Sequence, residues 1–246
     1  MSDPTGHILV VGASSGIGEA IARLLASQGH KLVLGARRND RLAILCDELR
    51  VSGAQLDYLA TDVTQRADTQ QLADFARDKY GRVDVMINNA GVMPLSPLSS
   101  LKVDEWDRML DVNVRGVLYG IAAVLPVMES QQSGHIINIA SIGALAVSPT
   151  AAVYCATKFA ERAISQRLRH QHRDLRVTRI HPGAVERASA DTITDPAAAA
   201  ALVQYRAIPP QPAAIRRPAR CPLSPPASVA VTWTLVAPSV ARCSVY

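Results

Sequence analysis

Aromatic side chains are scarce in this 246-residue sequence, which holds only two Phe, two Trp and six Tyr. A stacking platform for nucleic-acid bases needs rings interleaved with cations. The arginine-rich stretch 162–176 (Arg162, Arg167, Arg169, Arg173, Arg176) has none. The net charge of +5 is therefore read as the solvated face of a helix whose inner positions are Phe159, Ala163 and Leu168, and no nucleic-acid partner is expected. Cysteine is equally sparse: Cys46, Cys155, Cys221 and Cys243 show neither CxxC nor metal-ligand spacing. That excludes a disulfide framework, leaves no metal expected, and points to a reducing, cytoplasmic setting. Cys155 reads as a small packing residue. No apolar run approaches the ~20 residues that span a bilayer. No basic segment with a cleavage site precedes the first apolar stretch at 7–11, so neither membrane nor secretory signal is expected. What is abundant is apolar residue, 48% of the chain, enough for one substantial core.

Strand-like and helix-like segments alternate, the pattern of βαβ units around a parallel sheet. Strands are expected at 7–11, 31–34, 56–59, 83–87, 135–139 and 175–180, the last stopped by Pro182-Gly183. The 83–87 run is almost wholly apolar, as suits a strand buried on both faces. Helices follow from apolar spacing: Ile17, Ile21, Leu24, Leu25; Leu42, Leu45, Leu49; Leu72, Phe75, Ala76; and Trp106, Leu110, Val114, Val117, Ile121, ending near 126–128. Another is expected at 153–168, and Thr194-Asp195-Pro196 has the chemistry of a helix start, with 197–205 behind it. No repeat or linker divides the chain, so 1–246 reads as one domain. In 207–246, Pro209, Pro210, Pro212, Pro218, Pro222, Pro225 and Pro226 argue against a long helix at 216–226, since proline inside a helix costs about 3 kcal/mol. A seventh strand, at the sheet edge, is expected at 229–236.

The first strand runs into Gly12-Ala13-Ser14-Ser15-Gly16-Ile17-Gly18. In such a turn Gly12 allows the tight bend, Gly16 close approach of a phosphate, and Gly18 close packing of helix on strand. The helix N-terminus adds free N–H groups and the positive end of a dipole, and Ser14 and Ser15 add hydroxyls. The second strand ends in Gly35-Ala36-Arg37-Arg38. A carboxylate at this point would favour the ribose hydroxyls of NAD; Arg37 and Arg38 match a phosphate in charge and shape, so NADP(H) is expected.

Tyr154 and Lys158 stand one helical turn apart. A phenol ordinarily titrates near ~10, and a neighbouring ammonium favours its anion. Tyr154 can then give a proton to a developing alkoxide or take one from an alcohol. Ser141, just past the fifth strand, can bond the same oxygen.

In this order, Gly12 to Gly18, Asp62-Val63, Asn88-Asn89-Ala90-Gly91, Asn113, Ser141, Tyr154, Lys158 and Pro182-Gly183 resemble the motifs of the short-chain dehydrogenase/reductase family over roughly residues 7–206. The resemblance implies a Rossmann-type, doubly wound parallel α/β sheet and a Tyr154-Lys158-Ser141-Asn113 tetrad. It further implies Lys158 on the nicotinamide ribose, Asn113 anchoring a relay water, Asp62 at the adenine, and Asn89, Ala90 and Gly91 along the cofactor. Pro182 and Gly183 would border the nicotinamide, and a homodimer or homotetramer would pair through the helices containing Trp106 to Ile121 and 154–168. Within the family the chain looks like NADP-dependent 3-hydroxy acid and serine dehydrogenases, and clavaldehyde-type reductases are similar in the same stretches. The expected activity is hydride transfer between NADP(H) and a small alcohol or carbonyl substrate. The alternatives are a ketone or aldehyde reductase of a secondary-metabolite pathway and a non-catalytic dinucleotide-binding regulator. Substrate contacts are expected around 93–98, 144–150 and a lid at about 184–206. Two departures stand out. Val11 replaces the usual threonine, and Glu186-Arg187-Ala188-Ser189 replaces the usual lid opening. The Pro/Arg-rich tail resembles a shifted reading frame or an atypical terminus.

Overall fold

The computed structural model describes residues 6–172, 174–182, 193–196 and 198–199, together with two backbone strands at 231–235 and 242–245. Strands β1 (His7–Val11), β2 (Lys31–Ala36), β3 (Leu56–Ala60), β4 (Val85–Asn88), β5 (Gly134–Ile139) and β6 (Leu175–Pro182) alternate with helices α1 (Gly16–Ser27), α2 (Asn39–Val51), α3 (Arg66–Tyr80), α4 (Val103–Leu110), α5 (Gly116–Ser130) and α6 (Ala152–Gln171). With β7 (Val231–Leu235) and β8 (Arg242–Val245) they form one sheet in the order β3-β2-β1-β4-β5-β6-β7-β8. Pairing is parallel through β7, and β8 returns antiparallel.

The architecture is the Rossmann-type parallel sheet. Successive β1 side chains serve opposite faces, as the pleat requires. Ile8 and Val10 join Leu32, Leu34, Leu42 and Ile21 beneath α1 and α2. Leu9 and Val11 join Leu72, Val117, Val124 and Ile136 beneath α3 and α5. Because both faces are covered, the strands read as apolar runs. The chain builds outward from β1 to β3, then crosses back to place β4 on the other side of β1. That reversal opens a crevice at the carboxyl ends of β1 and β4, where this class of sheet binds its ligands.

Several boundaries differ from the sequence reading. The fourth strand begins at Val85 because Val83 is claimed by a side chain: Val83 N–H donates to Gln131 Oε1 at 3.1 Å, and Gln131 Nε2 donates to Val83 O at 2.9 Å. The same clamp fastens the end of α5, which continues through Pro126 to Ser130 with Met128 fully buried. The α4–α5 helix, Val103–Ser130, is 28 residues long and apolar enough to cross a membrane by length and composition, but Val117, Val124 and Met128 pack into the core. Strand β6 reaches Pro182, where it pairs with Leu235 of β7. The expected seventh strand exists but is not the edge, since β8 lies outside it. Helix α6 is rotated from the expected phase: Phe159 and Ala163 face outward, and its buried side is Tyr154, Lys158, Glu161, Ser165 and Leu168. At 194–199 the helix start is as expected. Asp195 Oδ1 accepts from Ala198 N at 2.9 Å, leaving Pro196 in the first turn; the rest of 197–205 lies outside the described residues.

His135 on β5 bonds Thr178 Oγ1 through Nε2 at 2.8 Å, and burial, with Arg176 nearby, pushes its pKa down to about 3. It is therefore neutral in the folded protein while it takes up a proton in the unfolded chain below about 6.5. Folding stability should fall as pH drops from about 6.5 toward 3. His135→Gln should flatten that limb by one proton's share, read from denaturant midpoints across this range; an unchanged slope would contradict the assignment.

Candidate active site

The crevice between β1 and β4 holds a cavity of about 300 Å³. Its floor is the glycine turn. Gly12 (φ +77°) lies so close to β4 that a Cβ would stand 2.8 Å from the Ala90 backbone. Its carbonyl accepts Asn89 Nδ2 at 2.9 Å, and a Cβ on Gly18 would meet that same carbonyl at 2.2 Å. Gly18 therefore locks α1 onto the turn without lining the cavity. Gly16 (φ +57°) differs, because a Cβ there would project into open space. That open approach, beside a 12-residue helix whose Ser15 N-cap makes no side-chain cap bond, suits a pyrophosphate.

Ser14, Ser15 and Ile17 also line the cavity, with Arg37 and Arg38 at the end of β2. Arg38 donates from Nη2 to Ser14 Oγ at 3.1 Å and to Ser15 Oγ at 2.7 Å. Burial, then Arg41 and Arg37, lowers its pKa from the usual guanidinium value. This is a local excess of positive charge against the glycine turn. The opposite wall carries Asp62 and Val63, with Thr61 beside them. Asp62 Oδ1 is held by Thr64 N at 3.0 Å and Thr64 Oγ1 at 2.9 Å, which fixes the carboxylate. Asn89, Ala90 and Gly91 complete the wall beyond β4.

Tyr154 and Lys158 reach the far end of the cavity from α6. The Tyr154 hydroxyl is buried and has no hydrogen-bond partner. Around the ring stand Leu95, Met109, Ala151, Cys155 and Ala198, with Met93, Trp106 and Ile193 at their margin. Ser141 follows β5; its Oγ accepts from Gly143 N at 3.1 Å, so its own proton remains to be donated. A Cβ on Gly143 would lie 3.3 Å from Tyr154 Cε1 and 3.5 Å from Ser141 Oγ, so this glycine is where serine and tyrosine converge. Lys158 Nζ donates to Ile139 O at 2.9 Å and to Glu161 Oε2 at 2.7 Å. Asn113 sits behind this group in a π-turn, Asp111–Arg115, between α4 and α5. Both amide N–H groups are used: Nδ2 donates to Val92 O at 2.9 Å and Thr157 Oγ1 at 3.1 Å, while Oδ1 accepts from Val92 N at 2.9 Å.

The comparisons agree with this geometry. The family model for short chain dehydrogenase matches residues 6–197. The chain belongs to the short-chain dehydrogenase family. An uncharacterized oxidoreductase of Staphylococcus saprophyticus is 48% identical over 192 residues, covering 76% of this chain and 77% of that protein. A short chain dehydrogenase/reductase of Burkholderia phymatum, solved with NAD, is 34% identical with a TM-score of 0.74, covering 78% of this chain and 71% of its own. The closed form of serine dehydrogenase, solved with NADP+, is 35% identical with a TM-score of 0.73, covering 80% and 81%. This short-chain dehydrogenase is thus an oxidoreductase of a fold that binds a nicotinamide dinucleotide.

Of the residues singled out in sequence, Gly12, Ser14, Ser15, Gly16, Ile17, Arg37, Arg38, Asp62, Val63, Asn89, Ala90, Gly91, Tyr154 and Lys158 all border one cavity. Gly18, Asn113, Ser141 and Pro182 do not border it; Gly18 and Asn113 brace it, and Pro182 is buried at the end of β6. Gly183 and residues 184–192 lie outside the described residues. Missed were Thr61, Arg108 and Ile139 in the lining, Thr157 as the partner of Asn113, Gly143, and Glu161. Thr157 and Glu161 sit within the Tyr-Lys helix at i+3 from Tyr154 and Lys158, and that spacing was a readable signal.

Gly16→Val should leave the fold standing, since nothing crowds the position, at a backbone cost of about 1–2 kcal/mol. It should nevertheless remove the stabilisation by bound dinucleotide, about 2.7 kcal/mol at 100 times the dissociation constant. Thermal unfolding with and without the dinucleotide checks both halves.

Proposed function

We propose that this enzyme passes a hydride between NADP(H) and a small hydroxy or oxo compound of the 3-hydroxy acid class. The observation that carries the choice of dinucleotide is Arg38, bonded to Ser14 and Ser15 and crowded by Arg37 and Arg41. A 2′-phosphate there would relieve like-charge repulsion with bidentate bonds, whereas ribose hydroxyls would not. The substrate class is supported by the likeness to serine dehydrogenase. The nicotinamide, when bound, supplies or accepts the hydride. Tyr154, whose hydroxyl has no protein partner, takes the alcohol proton or returns it to the carbonyl oxygen. Ser141 donates to that oxygen, and Lys158 sets a positive charge one helical turn from Tyr154 on the wall of the same cavity. In the oxidative direction the alcohol carbon loses a hydride and the hydroxyl a proton, giving a carbonyl, NADPH and one proton.

One observation favours the alternative of a ketone or aldehyde reductase: the side chains around Tyr154 are apolar, including Leu95, Met109 and Ala198. A panel of 3-hydroxy acids, serine among them, and bulky ketones, followed by NADPH absorbance, separates the two. Turnover of 3-hydroxy acids is expected; turnover of bulky ketones alone would overturn the substrate class. Arg38→Glu should weaken NADP(H) against NAD(H) by about 10- to 100-fold, the size of lost charge-assisted bonds. An unchanged ratio would overturn the choice of NADP(H).

We further propose a homodimer or homotetramer working in the cytoplasm. Its support is the exposed apolar surface of Leu110 and Leu118 on α4–α5 and Phe159 on α6. Light scattering should find an assembly larger than 26.3 kDa, reduced by Leu118→Glu with Phe159→Glu. A monomeric wild type would refute it.

A further inference from the structure

Lys158 has three N–H donors, and two are engaged within the protein, by Ile139 O and Glu161 Oε2. The ion pair is almost dry, with side chains 7% and 1% exposed. Glu161 lies on the buried stripe of α6, and its second oxygen, Oε1, has no hydrogen-bond partner. The other charged or titratable groups acting on that region are Arg162 and Arg169 on α6 and His181 and Arg179 on β6. None is hydrogen-bonded to the carboxylate. Arg162 donates to Ala144 O at 3.4 Å, and Arg179 Nη1 donates to Arg162 O at 3.5 Å. His181, its pKa lowered chiefly by burial, is neutral and donates Nδ1–H to Ser141 O at 2.8 Å. Lys158 is thus the cation that answers the Glu161 charge among the described residues.

The pairing bears on chemistry because a buried ammonium without a counter-ion is a costly, uncompensated charge. Without the carboxylate the long Lys158 side chain would also be free to swing, where now two bonds fix the nitrogen against the wall formed by β5 and α6.

We propose that Glu161 is a positioning residue for the reaction: its buried carboxylate holds the Lys158 ammonium in place, leaving one N–H for the dinucleotide and the reacting side. Glu161 touches neither substrate nor cofactor and acts through Lys158. The inference rests on the reading of Tyr154 and Lys158 as the proton-handling pair.

Two measurements test it. The first needs no ligand: denaturant unfolding of the wild type, Lys158→Met, Glu161→Leu and the double variant. Each single change strands a buried charge, so both should lose stability and the double should recover most of it. Losses that simply add would overturn the pairing. Should Glu161→Leu not fold, Lys158→Met compared with Lys158→Met/Glu161→Gln answers the same question. The second is the steady-state kinetics of alcohol oxidation in Glu161→Gln and Glu161→Asp. Gln keeps the shape and loses the charge that anchors Lys158, so kcat should fall by about tenfold. NADPH affinity, read by fluorescence, should change far less, and Asp should restore part of kcat. An unchanged kcat, or affinity lost in the same proportion, would mean that Glu161 only packs. If the wild type oxidises no alcohol, the proposed function fails, while the unfolding cycle still decides the pairing.

Discussion

Asn138, fully buried in the middle of the sheet, fixes the position of the reactive helix. Its Oδ1 accepts Asn88 Nδ2 from β4 at 2.8 Å, and its Nδ2 donates to Ser165 Oγ on α6 at 2.8 Å. Ser165 in turn donates to Glu161 O, also at 2.8 Å. Burying these groups unpaired would cost several kcal/mol in sum, so α6 has one rotation that satisfies them. In that rotation Tyr154 and Lys158 face the cavity, and Phe159 faces out. The neighbouring helix accommodates the chain by lacking a side chain: a Cβ on Gly120 would fall 2.1 Å from Asn88 Oδ1. A polar spine through the core therefore sets the aim of Tyr154 and Lys158 more sharply than apolar packing could, because hydrogen bonds have direction and area burial does not.

The π-turn at Asp111–Arg115 makes a second link of the same kind. A widened turn in a helix interrupts the regular ladder, and such turns gather at functional sites. Here it delivers the Asn113 amide to both backbone groups of Val92 and to Thr157. Thr157 itself donates to Tyr154 O at 2.7 Å. The loop after β4, the α4–α5 helix and α6 are thus joined immediately behind the tyrosine. Asn113 works in this structure as a brace, with both of its amide N–H groups engaged.

The legibility of the sequence followed the kind of force involved. Backbone-driven features were readable: the glycine turn, because φ above zero and close approach admit little but glycine at Gly12 and Gly16, and the alternation of buried strands and amphipathic helices. The rotation of α6 was not. Phe159 and Ala163 look like inward positions by hydropathy, yet the inward stripe contains Glu161, bonded to Lys158 of the same helix, and Ser165, bonded to Asn138 27 positions upstream. The start of β4 failed for a related reason, since Gln131 takes over both backbone groups of Val83 from 48 residues downstream. Pro126 was read as a helix end, but tertiary clamping of α5 outweighs the lost bond. Glu161 was passed over because charge in a helix usually means solvent; its i+3 spacing from Lys158 pointed to a pair, and its burial and distance to Lys158 show one.

The unpartnered Tyr154 hydroxyl and the dry Lys158–Glu161 pair make sense together. A buried hydroxyl without a partner costs about 1–3 kcal/mol of folding free energy. Tyr154 and Lys158 border the same cavity, so a ligand oxygen entering it can bond the phenol where the protein does not. Behind that wall, the Glu161 carboxylate one turn along α6 meets an ammonium whose burial would otherwise leave its charge uncompensated.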